Sequence, residues 1–534
     1  MSASLRLRFG GAAAEALDRH VPGLVQAKVA SALAAGDPTL WGERARAEAS
    51  IRLGWVHLPH SSRPLLATVE TLRAELVGQG LDHVVLAGMG GSSLAPEVIA
   101  ATAGVRLTVL DSTDPDQVRA ALAQRLERTV VVVSSKSGTT LETDSQRRAF
   151  EAAFVAAGID PVGRIVVVTD PGSPLEASAR DAGHRVFTAD PNVGGRYSAL
   201  TAFGLVPSGL AGVDIGALLD EAEAAMAGLA ADDPANPALR LGAALAGTDP
   251  LRDKVVLVPD GPAAIGLGEW IEQLVAESTG KDGTGLLPVV LASPEDPEAA
   301  GGSDLLVVRL TGEGRSAALT GPAEVSMSGP LGALMLLWEH ATAVAGRLLG
   351  INPFDQPDVE SAKAAARDLL AARPQPEPAS FVEDGVAVRA TAGLLDGVVD
   401  LAGAVAALLG QLSPDGYLAV MAYLDRVGEA GLAEVRAGLA RRTNRPVTFG
   451  WGPRFLHSTG QYHKGGPANG VYLQITGVAR QDLAVPGRPF SFGELIAAQA
   501  SGDAQVLAGR GRPVLRLHVL DRTRGLAALR RVLR

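Results

Sequence analysis

From Asp82 onward, short β-branched runs alternate with alanine-rich stretches, and this rhythm restricts the fold more than any other feature of the chain. The runs cover residues 83–87, 106–110, 130–133, 165–168 and 186–188, and they give way to Gly, Ser, Thr or Asp before the next helical stretch. Four consecutive valines at 130–133 suit a strand covered on both faces, hence a parallel sheet between helix layers. After a Pro/Gly-rich break at 206–212 and a helical bridge over 215–245, a second series follows at 254–258, 287–291 and 305–310, closed by a long helix from about Gly332 to Leu349. A proline-containing linker at 374–378 precedes a further α/β portion with strands at 417–423, 447–450, 471–475 and 514–520. The first 60 or so residues read as helix-rich, over 12–18 and 24–35. The expected plan is α/β: a helical N-terminal segment (1–60), two parallel-sheet domains flanked by helices (61–225 and 226–375) and an α/β C-terminal extension (376–534).

Bulk properties narrow the function. With 534 residues, 47% hydrophobic, the chain has enough apolar material for several domains. A net charge of −10 argues against a general nucleic-acid or membrane-surface binder, so an anionic ligand has to be met by local cations. The absence of cysteine removes disulfides, thiolate metal sites and cysteine nucleophiles together. No apolar run is long enough to span a bilayer and the start lacks a signal-peptide core, so a cytoplasmic location is expected.

The chemistry concentrates where strands end. In TVVVVSSKSGTTLET (129–143) the valines break into Ser135, Lys136, Ser137, Thr139 and Thr140, short donors that with the loop amides could hold a phosphate monoester at the carboxyl edge of a parallel sheet. An ordinary loop with Ser and Thr caps is the alternative. GMGGSS (88–93) follows the 83–87 run; its spacing is neither GxGxxG nor a Walker loop, which weakens dinucleotide and ATP readings. VGGRYS (193–198) sets Arg196 on a second glycine turn, where it is either a surface cation or a guanidinium for developing negative charge. In LGEWIEQLVAESTGK (267–281), Gln273 and Glu277 share a helix face with Glu269 and Glu272 nearby. Glu277 lies in the last turn, where the helix dipole opposes its charge, a useful setting for a carboxylate that must accept and return a proton. INPFDQPDVE (351–360) leads into a helix carrying Lys363, and FGWGPRFLHSTGQYHKGGP (449–467) crowds His457, Gln461, His463 and Lys464 into one glycine-rich loop. Two histidines without a carboxylate at ligand spacing make a weak metal case.

Together, GMGGSSLAPE, SSKSGTTLET, VGGRYSALTAFG, QLVAESTGK and NPFDQPDVESAK occur in the order and approximate spacing of glucose-6-phosphate isomerases, and the chain resembles that family over about residues 80–365. The last third looks like the extension of a bacterial subgroup that includes the isomerase half of fused transaldolase/phosphoglucose isomerase proteins. The resemblance implies two sugar isomerase (SIS) domains, a small-molecule sugar-phosphate partner, no cofactor or metal, and room for a homodimer. It assigns Ser92, Ser135, Lys136, Ser137 and Thr140 to the substrate phosphate and Glu142 and Gln273 to the lining of the sugar site, with Gly91 and Gly195 also among the substrate-binding residues. It makes Glu277 the base that moves a proton between C1 and C2 through a cis-enediolate, with Arg196 and the Gly195 amide steadying that charge. Lys363 and a histidine open the pyranose ring.

The histidine is where the chain departs from the family pattern. Family members carry it soon after the catalytic glutamate, yet residues 282–329 contain no histidine. The nearest resemblance is STGQYH (458–463), which points to His463, with His457 as competitor; His340, in a WEH pattern, reads as structural. A sugar-phosphate sensor without turnover would need neither Glu277 nor Arg196, and a broadened isomerase would also take mannose 6-phosphate. No basic helix-turn-helix supports the sensor.

Overall fold

The computed structural model of the protein describes residues 5–261, 264–372 and 377–534, so the linker residues 374–376 lie outside the described residues. The first described element is a strand, β1 (Arg6–Gly11), where the sequence suggested only helix. Arg6 and Arg8 point to solvent while Leu7 and Phe9 are half-buried, the pattern of a sheet edge. Helix Ala12–Gln26 follows at once.

The first sheet contains β2 (His83–Gly88), β3 (Thr108–Leu110), β4 (Thr129–Ser134), β5 (Ile165–Thr169) and β6 (Arg185–Thr188). All pairs are parallel, in the order β3-β2-β4-β5-β6. Every residue of β2 and β4 is buried, which is why their sequences show no polar alternation. The chain winds from β2 outward to β3 and then crosses back to β4. The two directions of winding meet between β2 and β4, and such a reversal leaves a crevice at the strands' carboxyl ends.

The second sheet holds β7 (Lys254–Asp260), β8 (Leu287–Val290), β9 (Leu305–Thr311) and β10 (Ala323–Ser328) in the order β8-β7-β9-β10, with β1 antiparallel along its edge. This repeats the order of the first four strands of the first sheet, so the two sheets share one winding. The sequence hid β10 because Glu324, Ser326 and Ser328 alternate with its apolar residues, although all six positions are buried. Glu324 is satisfied internally by Arg309 at 2.8 Å and by the amides of Thr320 and Gly321 at 2.6 and 2.8 Å.

The stretch 206–212, expected to break the chain, is instead the end of helix Ala202–Ala211, which tolerates Pro207 inside it. That helix is buried, and with helix Leu331–Leu349 it belongs to one apolar core running through both sheets. His340 lies within this core, donating Nδ1–H to the Leu336 carbonyl (2.9 Å) and set edge-on to Trp55, and burial pushes its pKa down to about 4.

The remaining strands are β11 (Phe381–Glu383), β12 (Val386–Ala390), β13 (Tyr417–Tyr423), β14 (Val447–Trp451), β15 (Gly470–Gly477) and β16 (Val514–Val519), in the order β11-β12-β16-β15-β13-β14. This third sheet is more than an appendage. Tyr417, Ala419, Met421 and Tyr472 share a core with Val256, Val258, Leu287 and Val289 of the second sheet, and Val485 and Phe492 pack under the first. Buried ion pairs tie it to both: Arg436 to Asp296 and Glu298 (2.7 Å each), Arg454 to Asp111 (2.7 Å) and Arg522 to Asp114 (3.1 Å). Removing one partner of such a pair strands a buried charge, at a cost of about 3–5 kcal/mol. Among the described residues no helix is long and apolar enough to cross a membrane.

Candidate active site

Two glycine turns meet at the carboxyl edge of the first sheet. A Cβ on Gly91 would lie 1.9 Å from the carbonyl oxygen of Gly195, so only glycine lets the turn after β2 reach the turn that carries Arg196. At Gly90 an added Cβ would meet the Gln273 amide nitrogen and the His457 Cβ, both at 2.9 Å. Gly91, Gly195, Arg196 and Gln273, far apart in sequence, thus converge.

Arg196 is buried and every nitrogen of its guanidinium is engaged. Nε donates to Ser278 Oγ (2.8 Å), Nη1 to Gln356 Oε1 (2.6 Å), and Nη2 to the carbonyls of Pro353 (2.7 Å) and Asp355 (3.0 Å). The NPFDQPD segment is therefore the clamp that fixes this cation. Glu277, near the end of helix Leu267–Thr279, sets Oε2 4.0 Å from Arg196 Nη1 and accepts from Gln273 Nε2 at 3.2 Å. Its side chain is 8% exposed.

The loop after β4 behaves differently from its sequence reading in one respect. Ser135 Oγ donates to Thr140 Oγ1 at 3.0 Å, and the hydroxyls of Ser137 and Thr139 share a hydrogen bond of 3.0 Å. The Lys136 ammonium, however, turns away to Asp170 Oδ2 at 2.5 Å and to the Pro191 carbonyl at 3.4 Å. Beside this pairing stand the loop's hydroxyls, while Ser92 lies buried on the turn after β2.

The loop leads into helix Leu141–Ala156, whose first turn carries Glu142. This carboxylate is buried and its Oε1 accepts from Gln499 Nε2 at 2.8 Å and faces His457 Nε2 at 3.3 Å. Burial works against its charge, but the hydrogen bond and charge of His457, its own amide and the charge of Lys363 outweigh that and hold its pKa below the usual carboxylate value. Lys363 thereby belongs to the same electrostatic neighbourhood.

His463 does not join this cluster. It sits in helix Gly460–Gly465 among the rings of Tyr417, Phe455 and Tyr472, at 6.0, 6.1 and 5.3 Å, and neither ring nitrogen has a hydrogen-bond partner among the described residues. Burial, reinforced by the charges of Lys464 and Arg512, pushes its pKa well below the ordinary value. Of the two histidines, His457, on the turn Arg454–His457, is the one that faces Glu142, and its carbonyl also accepts from Gln273 at 2.8 Å. Gln499 carried no signal in the sequence; Gln356 and Ser278 lay inside motifs already singled out, but their role as the clamp on Arg196 needed the fold.

The family model for phosphoglucose isomerase matches residues 68–241. Glucose-6-phosphate isomerase of Rubrobacter xylanophilus is 32% identical over 380 residues, which cover 58% of this chain and 87% of the relative. That of Synechococcus sp. (strain JA-3-3Ab) is 32% identical over 352 residues, 53% of this chain and 65% of the relative. Among solved structures, a hypothetical protein from Thermus thermophilus superposes with a TM-score of 0.57 at 28% identity, covering 68% of this chain and all of that one.

Proposed function

Because the chain belongs to the glucose-6-phosphate isomerase family, whose members interconvert glucose 6-phosphate and fructose 6-phosphate, we propose that it carries out this reaction by ring opening followed by proton transfer through Glu277. The hydroxyls of Ser92, Ser135, Ser137 and Thr140, with the loop amides, hold the phosphate at the crevice between β2 and β4 and so place C1 and C2 against the Glu277 helix. In ring opening the C1–O5 bond breaks, O5 takes a proton and the O1 hydroxyl gives one up to become the carbonyl; His457 and Lys363 serve these transfers. Glu277 then takes the proton from C2 and returns it to C1, while the hydroxyl proton of O2 passes to O1, so that the carbonyl moves from C1 to C2 with no net gain or loss. The intervening cis-enediolate is steadied by Arg196 and the Gly195 amide.

The observation that carries this reading is the Arg196–Glu277 pair, 4.0 Å apart, with all of the guanidinium's nitrogens already bound. A cation fixed before the reaction needs no reorganisation when negative charge develops beside it, which is the condition for efficient electrostatic stabilisation. The test is conversion of fructose 6-phosphate to glucose 6-phosphate in the presence of a chelator. Glu277→Gln should lower kcat about 1,000-fold while sugar-phosphate binding persists; residual turnover near wild type would sink the assignment of the base.

A further inference from the structure

We propose that Gln499, on helix Phe492–Gly509 of the C-terminal unit, is a positioning residue for ring opening: it holds Glu142 in the orientation that aims it at His457. The inference rests on the reading of His457 as the ring-opening histidine.

Gln499 is 5% exposed and bonded at both ends of its amide. Thr113 Oγ1 donates to its Oε1 at 2.6 Å, and its Nε2 donates to Glu142 at 2.8 Å. The flipped amide would set its oxygen against the carboxylate, so the contact to Glu142 fixes the orientation. Thr113 is itself held by its setting. It lies on the loop after β3, where Arg426 and Arg454 grip Asp111 at 3.1 and 2.7 Å and Arg522 grips Asp114 at 3.1 Å. A rigid support therefore runs from the first sheet through Thr113 and Gln499 to Glu142. Glu142 Oε1 is shared between Gln499 and His457, so the donor from Gln499 determines where the histidine finds its acceptor. With Nε2 turned to Glu142, Nδ1 is the ring nitrogen left to face the sugar. Besides Gln499, the groups acting on Glu142 are His457 from the turn Arg454–His457 and Lys363 from helix Val359–Ala372.

Loss of a hydrogen bond to a charged group is worth about 10- to 100-fold. Gln499→Met keeps the volume and removes the donor; Gln499→Glu keeps the shape but sets a second carboxyl against Glu142. Turnover of glucose 6-phosphate reports ring opening. Solvent exchange at C1 of 5-deoxyfructose 6-phosphate, which cannot close its ring, reports Glu277 chemistry alone. For Gln499→Met we expect cyclic turnover to fall about tenfold with exchange within about twofold of wild type. Gln499→Glu should recover turnover relative to wild type as pH falls from about 8 to about 6, because protonation of the new carboxyl restores a donor. Equal losses on both substrates, or no loss on the cyclic one, would overturn the proposal, as would a Gln499→Glu deficit that ignores pH. His457→Ala is run in parallel. If it spares ring opening, the reading of His457 fails; if it slows ring opening selectively while both Gln499 variants do not, that reading stands and the role of Gln499 falls.

Discussion

His457 and His463 occupy one short stretch of the C-terminal unit yet live in opposite surroundings. His457 faces a buried carboxylate and the helix of Glu277, whereas His463 is enclosed by three aromatic rings with both nitrogens unpartnered among the described residues. The difference comes from the local backbone. The turn Arg454–His457 is pulled toward the first sheet by Arg454, while helix Gly460–Gly465 packs back on β13 and β15, where Tyr417 and Tyr472 lie. A glycine-rich loop can thus put one histidine to chemical use and its neighbour to packing.

The contrast can be broken most forcefully at His457. Its replacement by alanine should lower turnover of cyclic substrate about 100-fold, measured by steady-state kinetics, and also lower Tm, because the buried Glu142 loses a partner. His463→Phe should do the reverse, keeping turnover and holding or raising stability, because an apolar ring removes two unsatisfied buried nitrogens. It also has a pH signature. The native His463 resists protonation well below its ordinary pKa of 6.5, so below that pH the unfolded chain binds a proton that the folded one does not, and stability falls as pH drops. His463→Phe should shallow that acid-side loss in denaturant titrations between about pH 6.5 and 4. A loss of turnover in His463→Phe would return the ring-opening role to it.

A smaller effect is expected beside His457, at Glu272, which accepts from Ser458 Oγ at 3.3 Å. Burial and the charge of Glu269 push its pKa up to about 8, against the pull of Arg454 and Ser458. The folded chain therefore keeps this proton from about pH 4.5 to about 8 while the unfolded one loses it, so stability falls as pH rises across that window. Glu272→Gln should remove that fall, its advantage in Tm over wild type growing from about pH 5 to about pH 8. A Tm difference independent of pH would show that Glu272 is already ionised.

The parallel strands were legible because burial on both faces leaves continuous valine and leucine runs, as in β4. Strand β1 was not, since Arg6, Arg8 and two glycines disguise an edge, and β10 was not, since its polar half is satisfied by partners distant in sequence. Similarly, the motifs around Glu277 and Arg196 announced themselves through unusual local combinations. The two histidines shared their local residue types, and only tertiary contacts separated them. Lys136 read as the obvious phosphate cation, but nothing near it in sequence announced Asp170 as its partner.

The long reach of the bond between Glu142 and Gln499 also sets an order in time. Domains generally fold as they leave the ribosome, amino end first. The crevice of the first sheet and the Glu277 helix are available once the first two sheets have been made, yet His457 and Gln499, which both contact Glu142, belong to a stretch made later. A nascent chain therefore carries half of this site until the C-terminal unit has been made.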